Sequence, residues 1–390
     1  MNLVVFNFHD VVLWMTAMQC LLFAGLLLAT NTSKNISMYF LAAFLVAHAL
    51  IPLHEMILWG AEFKLRVRNN WPEVYFIGAA AYYVDGALLL MCIKSLVFRD
   101  FKFRKTDLLH LLPLAAFIVF MSIAFYSHSY AERLHLINSE TFVYGAGYTF
   151  MEFFSKVVRF GYCFLCLQLV FKYKHLLKST HSNVEKVDIT WISTLVVGFM
   201  IVMGLEAILA FSKVIFLFKP YHMDFFQKMG LTCYYSLFLL VNLLVFTGIR
   251  YFSSFEPVKE EPEKPKDGAK KKISDHLLNP DLAREIDEAM RGTKSYMEPD
   301  ITLEHLAEEL SITARDLSMI INRHFGVNFY EFVNRYRIEE AKAMLASPEH
   351  SDTTITDIYL AVGFNSKSVF NTFFKKLVGT TPSQYRKEPA

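Results

Sequence analysis

Cysteine is scarce, and the five that occur (Cys20, Cys92, Cys163, Cys166, Cys233) lie inside apolar runs, with neither a disulfide framework nor a zinc-finger spacing. Cys163 and Cys166 have CxxC spacing, but within a membrane helix they read first as small, soft packing residues. No P-loop, kinase or dinucleotide signature occurs, and no nucleophile motif. His48 and His54 are six apart, so they point to different faces of one helix and make no metal site. Catalytic residues, metal and cofactor are accordingly all expected to be none, and an enzyme is not expected. A charge excess is also missing: 39 Lys and Arg face 37 Asp and Glu, so the whole-chain balance says nothing about nucleic acid. The first residues lack the basic stretch and small-residue cleavage site of a signal peptide, so Met1–Ala29 is expected to stay as a first membrane span.

What the chain has in abundance is apolar surface: 54% of residues, with 37 Phe, concentrated before residue 253. A membrane helix needs about 20 mostly apolar residues. Seven stretches qualify, at about Phe8–Ala29, Ser37–Trp59, Val74–Phe98, Leu108–Tyr126, Tyr148–Phe171, Ile189–Phe211 and Met229–Phe252. Turn and charge signals separate them (Thr30 to Ser33, Asn69 to Pro72, Lys219-Pro220), and Trp14, Trp59, Trp71, Trp191 and Tyr251 crowd their ends as interfacial belts do.

Orientation rests on two arguments. Arg99, Lys102, Arg104 and Lys105 come after span three, and Lys172, Lys174, Lys178 and Lys186 after span five; the positive-inside bias puts those loops in the cytoplasm. The bias is modest, because Lys64, Arg66, Arg68, Lys213, Lys219 and Lys228 lie on the other side. The second argument depends on the domain beyond the seventh span.

Residues 253–279 are rich in Pro, Glu and Lys and cannot bury enough surface to fold. A flexible coil of about 25 residues reaches roughly 25–30 Å, which keeps the next domain near the membrane. Lys270 to Lys272 are either a solubilising run, the favoured reading, or a contact to anionic headgroups.

Short amphipathic helices then succeed one another. Pro280 opens a helix carrying Leu282, Ile286 and Met290 on one stripe. Leu303, Leu306, Ala307 and Leu310 make the apolar face of a second, capped by Thr302. Thr313 to Phe325 is its partner, closed by Gly326: two short helices with a tight turn, a helix-turn-helix at about 301–326. A linking helix at about 328–346 leads to a second such pair at about 354–379, with Thr354 to Phe364 followed by Ser366 to Lys376. One pair by pattern alone is weak; a tandem joined by one helix is much stronger. Leu306, Leu317, Ile321, Phe364, Phe370 and Phe374 are expected in the core.

Gly363-Phe364-Asn365-Ser366, Phe370, Phe373 to Lys376, Gly379, Thr381-Pro382 and Tyr385-Arg386 resemble the signature of AraC-type transcription regulators. The likeness runs back through Ala307, Leu317-Ser318, Phe325-Gly326 and Arg337, Glu340 and Ala341, covering about 285–387 and none of the membrane half. The whole arrangement resembles membrane-bound AraC-type regulators with a multi-span sensor. The resemblance implies two recognition helices in successive major grooves of one DNA face. By the family pattern the base-edge positions are Arg315, Ser318 and Met319, then Lys367, Ser368, Asn371 and Thr372. Arg315 and Lys367 suit guanine and Asn371 suits adenine; Met319 and Thr372 stand where the family often carries Arg. Arg323, Lys375, Lys376 and Arg386 suit phosphates, which give affinity but no sequence information.

DNA lies inside the cell, so an odd number of spans puts the N-terminus outside and the last domain in the cytoplasm, attached to the bacterial inner membrane. The expected fold class is all-α: a seven-helix transmembrane bundle (1–252), a charged linker (253–279) and an AraC-type domain with two helix-turn-helix motifs (280–390).

Ionisable residues inside spans are expensive and often functional. Glu152, Lys156 and Arg159 share one face of span five; His48 and Glu55 are aligned on span two, with Pro52 between them; Tyr82 and Asp85 lie in span three and Glu206 in span six. They either line a ligand cavity toward the outer half or only pair with one another to fix packing, and the residues alone leave these two readings even.

The expected function is a one-component regulator. The partners it implies are double-stranded DNA, the lipid bilayer, an unidentified small-molecule or lipid ligand, a second copy of the chain, and RNA polymerase in the activator case. The alternative is a transporter-like or enzymatic membrane domain fused to a DNA-binding regulator. The Pro280–Met290 helix is either a relay between linker and DNA module or, slightly favoured, part of the domain core.

Overall fold

The computed structural model describes residues 7–32, 34–60, 62–98, 100–184, 189–218, 223–251 and 280–387. The expected linker 253–279 lies outside the described residues, as do Arg99, Lys186, Lys219 and Pro220. Every regular element among the described residues is helical, and isolated bridges such as His181–Thr302 build no strand. The chain divides into two compact units: Met1–Phe171 with Ile189–Pro257, and Lys172–Asp188 with Val258–Ala390.

Among the described residues, seven helical stretches are long and apolar enough to cross a membrane: Phe8–Thr30, Ile36–Trp59, Pro72–Val97, Lys105–Tyr126, Ala146–Thr180, Ile192–Phe216 and Asp224–Phe246. The helices of the first unit are α1 (Phe8–Thr30), α2 (Ile36–Trp59), α3 (Glu62–Asn70), α4 (Asp85–Val97), α5 (Leu112–Met121), α6 (Tyr130–Asn138), α7 (Ala146–Thr180), α8 (Ile189–Phe216) and α9 (Met223–Tyr251). The C-terminal part of α7, from Lys172, groups with the second unit. In the first unit α1 packs on α2 and α9, α2 on α4, and α8 on α9.

Local chemistry sets the ends. Asn7 and Asp10 cap the start of α1 reciprocally: the Asp10 N–H donates to the Asn7 side chain and the Asn7 N–H to the Asp10 carboxylate. Span three is not one α-helix. A 3₁₀ segment, Ile77–Tyr83, precedes α4. Gly78 in that segment lies against α2 so closely that a Cβ there would stand 2.8 Å from His54 Cβ. Span four likewise begins as 3₁₀ (Lys105–Leu111) and ends in a π turn (Ser122–Tyr126). The short helices α3 and α6, which lie between spans, carry too few apolar residues to have been expected from the membrane pattern.

The bundle inverts the soluble pattern. Leu22, Ile118, Ile123, Phe164, Phe171, Ile201, Leu239 and Phe246 point outward, whereas Asp10, His48, His54, Asp85, Lys156, Arg159 and Glu206 are buried. Apolar outside and polar inside is what a hydrocarbon solvent selects.

The second unit contains α10 (Pro280–Thr293), α11 (Leu303–Glu309), α12 (Ala314–Ile320), α13 (Phe329–Ala346), α14 (Ile355–Ala361), α15 (Lys367–Val378) and α16 (Pro382–Lys387). Thr302, Thr313, Asn328, Thr354 and Ser366 each accept a backbone N–H at the start of the next helix. The linking helix α13 serves two cores. Phe329, Phe332 and Val333 join Leu306, Leu317 and Ile321 in the first; Ile338, Ala341 and Leu345 join Phe364, Phe370 and Phe374 in the second. The stripe of α10 packs in the first core, with Ile286 and Met290 buried and Leu282 partly so. That side of α10 is therefore spent on packing.

Candidate functional site

The second unit presents two helices, α12 and α15, that each follow a seven-residue helix at a tight turn. On α12 the residues Arg315, Ser318 and Met319 are spaced three and four apart on one partly exposed face, and Met319 also leans on the first core. Helix α12 runs into a π turn, Ile321–Phe325, and stops at Gly326, whose φ of 68° is left-handed. Arg323 on that turn is exposed. On α15 the exposed or half-buried residues Lys367, Ser368, Asn371 and Thr372 form one stripe opposite the buried Phe370 and Phe374. The Thr372 hydroxyl donates to the Ser368 carbonyl, which turns its polar group back onto the helix.

The candidate phosphate-binding cations differ in their surroundings. Lys375 is exposed. Lys376 Nζ donates to Glu331 Oε1 on α13 at 3.0 Å. Arg386 is half-buried, and its Nε and Nη2 have no hydrogen-bond partner among the described residues. The 18 residues of α13 between the two pairs span about 27 Å at 1.5 Å per residue.

Arg337 holds this unit together. It is almost fully buried in α13; Nε donates to the Tyr296 carbonyl at 2.6 Å and Nη2 to the Glu298 carbonyl at 2.7 Å. Its Nη2 also donates to Ser182 Oγ at 3.2 Å, and the Ser182 N–H donates to the Ile301 carbonyl at 3.2 Å. Burial pushes its guanidinium down to about 10, so it stays charged at neutral pH and needs these oxygens. Gly363, at φ 94°, packs beside it; a Cβ there would meet the Met297 carbonyl oxygen at 2.7 Å. Arg337 is part of the sequence signature, but nothing in that signature shows the carbonyls it serves.

These observations bear on what the unit is. A family described as a helix-turn-helix domain matches residues 306–388. The C-terminal domain is an AraC-type helix-turn-helix domain. Among similar curated proteins, an uncharacterized HTH-type transcriptional regulator of Staphylococcus aureus (strain COL) is 34% identical over 110 residues, 28% of this chain and 14% of that protein. A counterpart in S. aureus (strain MSSA476) matches to the same extent. The regulator YtdP of Bacillus subtilis (strain 168) is 34% identical over 91 residues, 23% of this chain and 11% of its own length. The chain thus spans about one seventh or less of the length of these relatives. No solved structure matches it.

The first unit carries a second constellation. Arg159 on α7 donates through Nε to both Asp85 oxygens at 3.1 and 2.9 Å, and its Nη1 meets Glu206 of α8. Lys156 Nζ donates to the same Glu206 oxygen at 2.9 Å and lies 3.4 Å from the Tyr82 ring centroid. His48 Nδ1 lies 3.5 Å from Asp85 Oδ2. Glu152 pairs instead with Lys213 of α8 at 2.6 Å. Glu55 accepts from the hydroxyls of Tyr82 and, at 2.8 Å, Tyr234 of α9.

Glu55, Glu152, Lys156 and Glu206 line a cavity of about 560 Å³, whereas His48, Asp85 and Arg159 lie behind its wall. The other lining residues come from the start of α1 (Asn7, Asp10), the end of α2 (Trp59), the turn before α7 (Tyr144) and the adjoining ends of α8 and α9 (Phe216, Gln227). In an alternating bundle all of these lie at the end that holds the N-terminus.

Lys213 and Tyr234 were missed as site residues. Lys213 read as a loop cation, although its seven-residue spacing from Glu206 put both on one face of α8; Tyr234 gave no signal.

Proposed function

We propose that the chain is a membrane-bound one-component transcription regulator. On this reading residues 1–252 form a sensor, 253–279 a linker, and 280–390 a cytoplasmic domain that binds promoter DNA sequence-specifically. The carrying observation is the exposed stripe Lys367, Ser368, Asn371 and Thr372 on a capped recognition helix, in a chain that also holds seven membrane-length helices. Bidentate donors and acceptors on such a stripe suit base edges in the major groove. The exposed ammonium of Lys375 suits a phosphate. The relatives' printed names, HTH-type transcriptional regulators, support the same reading.

Orientation comes from parity. Seven spans with the DNA-binding domain inside put the N-terminus outside a bacterial inner membrane, and the cavity then faces the periplasmic side. A ligand bound there shifts the posture or association of the cytoplasmic domains, and a homodimer suits that coupling; RNA polymerase is the further partner for an activator. On this reading Asp85, Arg159 and His48 pair for packing, and Glu55, Glu152, Lys156 and Glu206, which line the cavity, serve the ligand.

The test maps bound DNA across the genome with the full-length protein, beside fractionation of cells. Recovery in the membrane fraction with sharp, recurrent sites is expected. Recovery in the soluble fraction, or a profile no sharper than random fragments, overturns the reading.

A further inference from the structure

We propose that the bundle cavity binds a small molecule bearing a protonated amine on an apolar body, with Glu55 as the counter-charge. The proposal deepens the sensor reading and rests on it.

The argument is a charge balance inside a low-dielectric bundle. The cavity is lined by the carboxylates of Asp10, Glu55, Glu140, Glu152 and Glu206 and by the ammonium groups of Lys64, Lys156 and Lys213. Each lysine is committed to an internal partner: Lys64 to Glu140 at 4.0 Å, Lys156 to Glu206 at 2.9 Å and Lys213 to Glu152 at 2.6 Å. Asp10 is engaged at the cap of α1. Glu55 alone among these carboxylates is held, within the described residues, by neutral hydroxyls, those of Tyr82 and Tyr234, while Lys156 and Lys213 act on it only at longer range.

Two hydroxyls orient a carboxylate without neutralising it. A carboxylate in a membrane interior is costly unless a cation meets it. Because Glu55 keeps part of its surface open and lines a cavity of about 560 Å³, there is room for that cation to arrive from outside. An alkylammonium donates up to three charge-assisted hydrogen bonds, and each carboxylate oxygen has a second lone pair left after the tyrosine bond. The remaining wall includes Leu13, Ile51, Leu209, Leu231 and Phe226, which suits an apolar body. The volume falls within the range of small-molecule sites. An anionic ligand would find its three nearest ammonium groups already paired and Glu55 opposing it.

The test uses full-length protein in lipid nanodiscs at neutral pH and three matched probes: phenylpropylammonium, phenylpropanoate and phenylpropanol. Thermal unfolding midpoints are measured for wild type and Glu55→Gln. The ammonium probe is expected to raise the wild-type midpoint, the other two to leave it unchanged, and Glu55→Gln to weaken the ammonium response at least tenfold in apparent affinity. An equal response to the carboxylate or the alcohol, a response undiminished in Glu55→Gln, or none to any probe overturns the proposal. The wild-type comparison of probes decides it even if Glu55→Gln does not fold. DNA occupancy measured with the same probes tests sensing separately. Amine binding that leaves occupancy unchanged sustains the ligand class and overturns the sensor reading; absence of amine selectivity overturns the ligand class whatever occupancy does.

Discussion

Arg159 on α7 and Asp85 on α4 meet through a forked contact, with Nε 3.1 and 2.9 Å from the two carboxylate oxygens, and both side chains are almost wholly buried. This pair joins spans three and five inside an apolar bundle. Each charge is tolerable there only because the other is present. Arg159→Met leaves Asp85 with His48, 3.5 Å away, and the Gly86 N–H, and takes one partner from Glu206. It is expected to cost about 3–5 kcal/mol, the usual penalty for breaking a buried pair from one side. Unfolding midpoints of the detergent-solubilised protein measure this. The double change Asp85→Asn with Arg159→Gln is expected to lose less, because no bare charge remains and Lys156 still meets Glu206. A double variant as unstable as Arg159→Met refutes this account.

Arg337 has a different task, gathering backbone oxygens. Arg337→Lys keeps a charge but cannot reach Tyr296 and Glu298 with one planar fork. We expect a loss of about 2–4 kcal/mol for the stranded carbonyls, read as faster proteolysis of the C-terminal domain. Ser182→Ala removes a single hydroxyl contact and is expected to cost about 1 kcal/mol or less. Equal sensitivity of the two variants contradicts the ranking.

On the DNA side, Lys367→Ala and Asn371→Ala are expected to relax preference at particular base pairs, by about 1–3 kcal/mol each. Lys375→Ala is expected to weaken all sequences evenly and to reduce the salt slope by about one. Lys376→Ala should move the slope less, because Glu331 already holds that ammonium. Competition binding across a salt series on the bound sites separates the three outcomes.

Acid sensitivity is expected at the joint between α13 and α15. The hydrogen bond from Lys376, aided by Arg335, holds the Glu331 carboxyl below its ordinary value of 4.5. A depressed carboxylate contributes stability that is fully present above its unfolded value and is lost as pH falls through its folded value. The C-terminal domain should therefore lose stability below about 4.5, in the lower carboxylate range. Glu331→Gln should start less stable at neutral pH and show a shallower fall. A variant with the same acid profile as wild type refutes the assignment.

The architecture was legible in the chain because its signals are local or periodic. Seven apolar runs, the Thr302 cap, and the tandem helix-turn-helix signature all reside within a few turns of backbone. The core assignments Leu306, Leu317, Ile321, Phe364, Phe370 and Phe374 are all buried, since one apolar face of a short helix has only one place to go. The helical phase of Glu152, Lys156 and Arg159 was also readable, and their common face turns inward.

Partner choice was not readable. Spacing on α7 places Glu152 beside Lys156, yet Glu152 bonds Lys213 and Lys156 bonds Glu206, both on α8. The 3₁₀ segment of span three accompanies the close approach of Gly78 to α2, and no periodicity announces it.

The order of residues by itself determined which segments seek hydrocarbon and which carry a helix-turn-helix, because hydropathy, capping and turn chemistry act over short stretches of one chain. Only the tertiary structure decided that Glu55 shares a cavity with Tyr82 and Tyr234 while Asp85 and Arg159 are closed off behind it. Electrostatic pairing depends on distances between different helices, and helical phase restricts those distances without setting them.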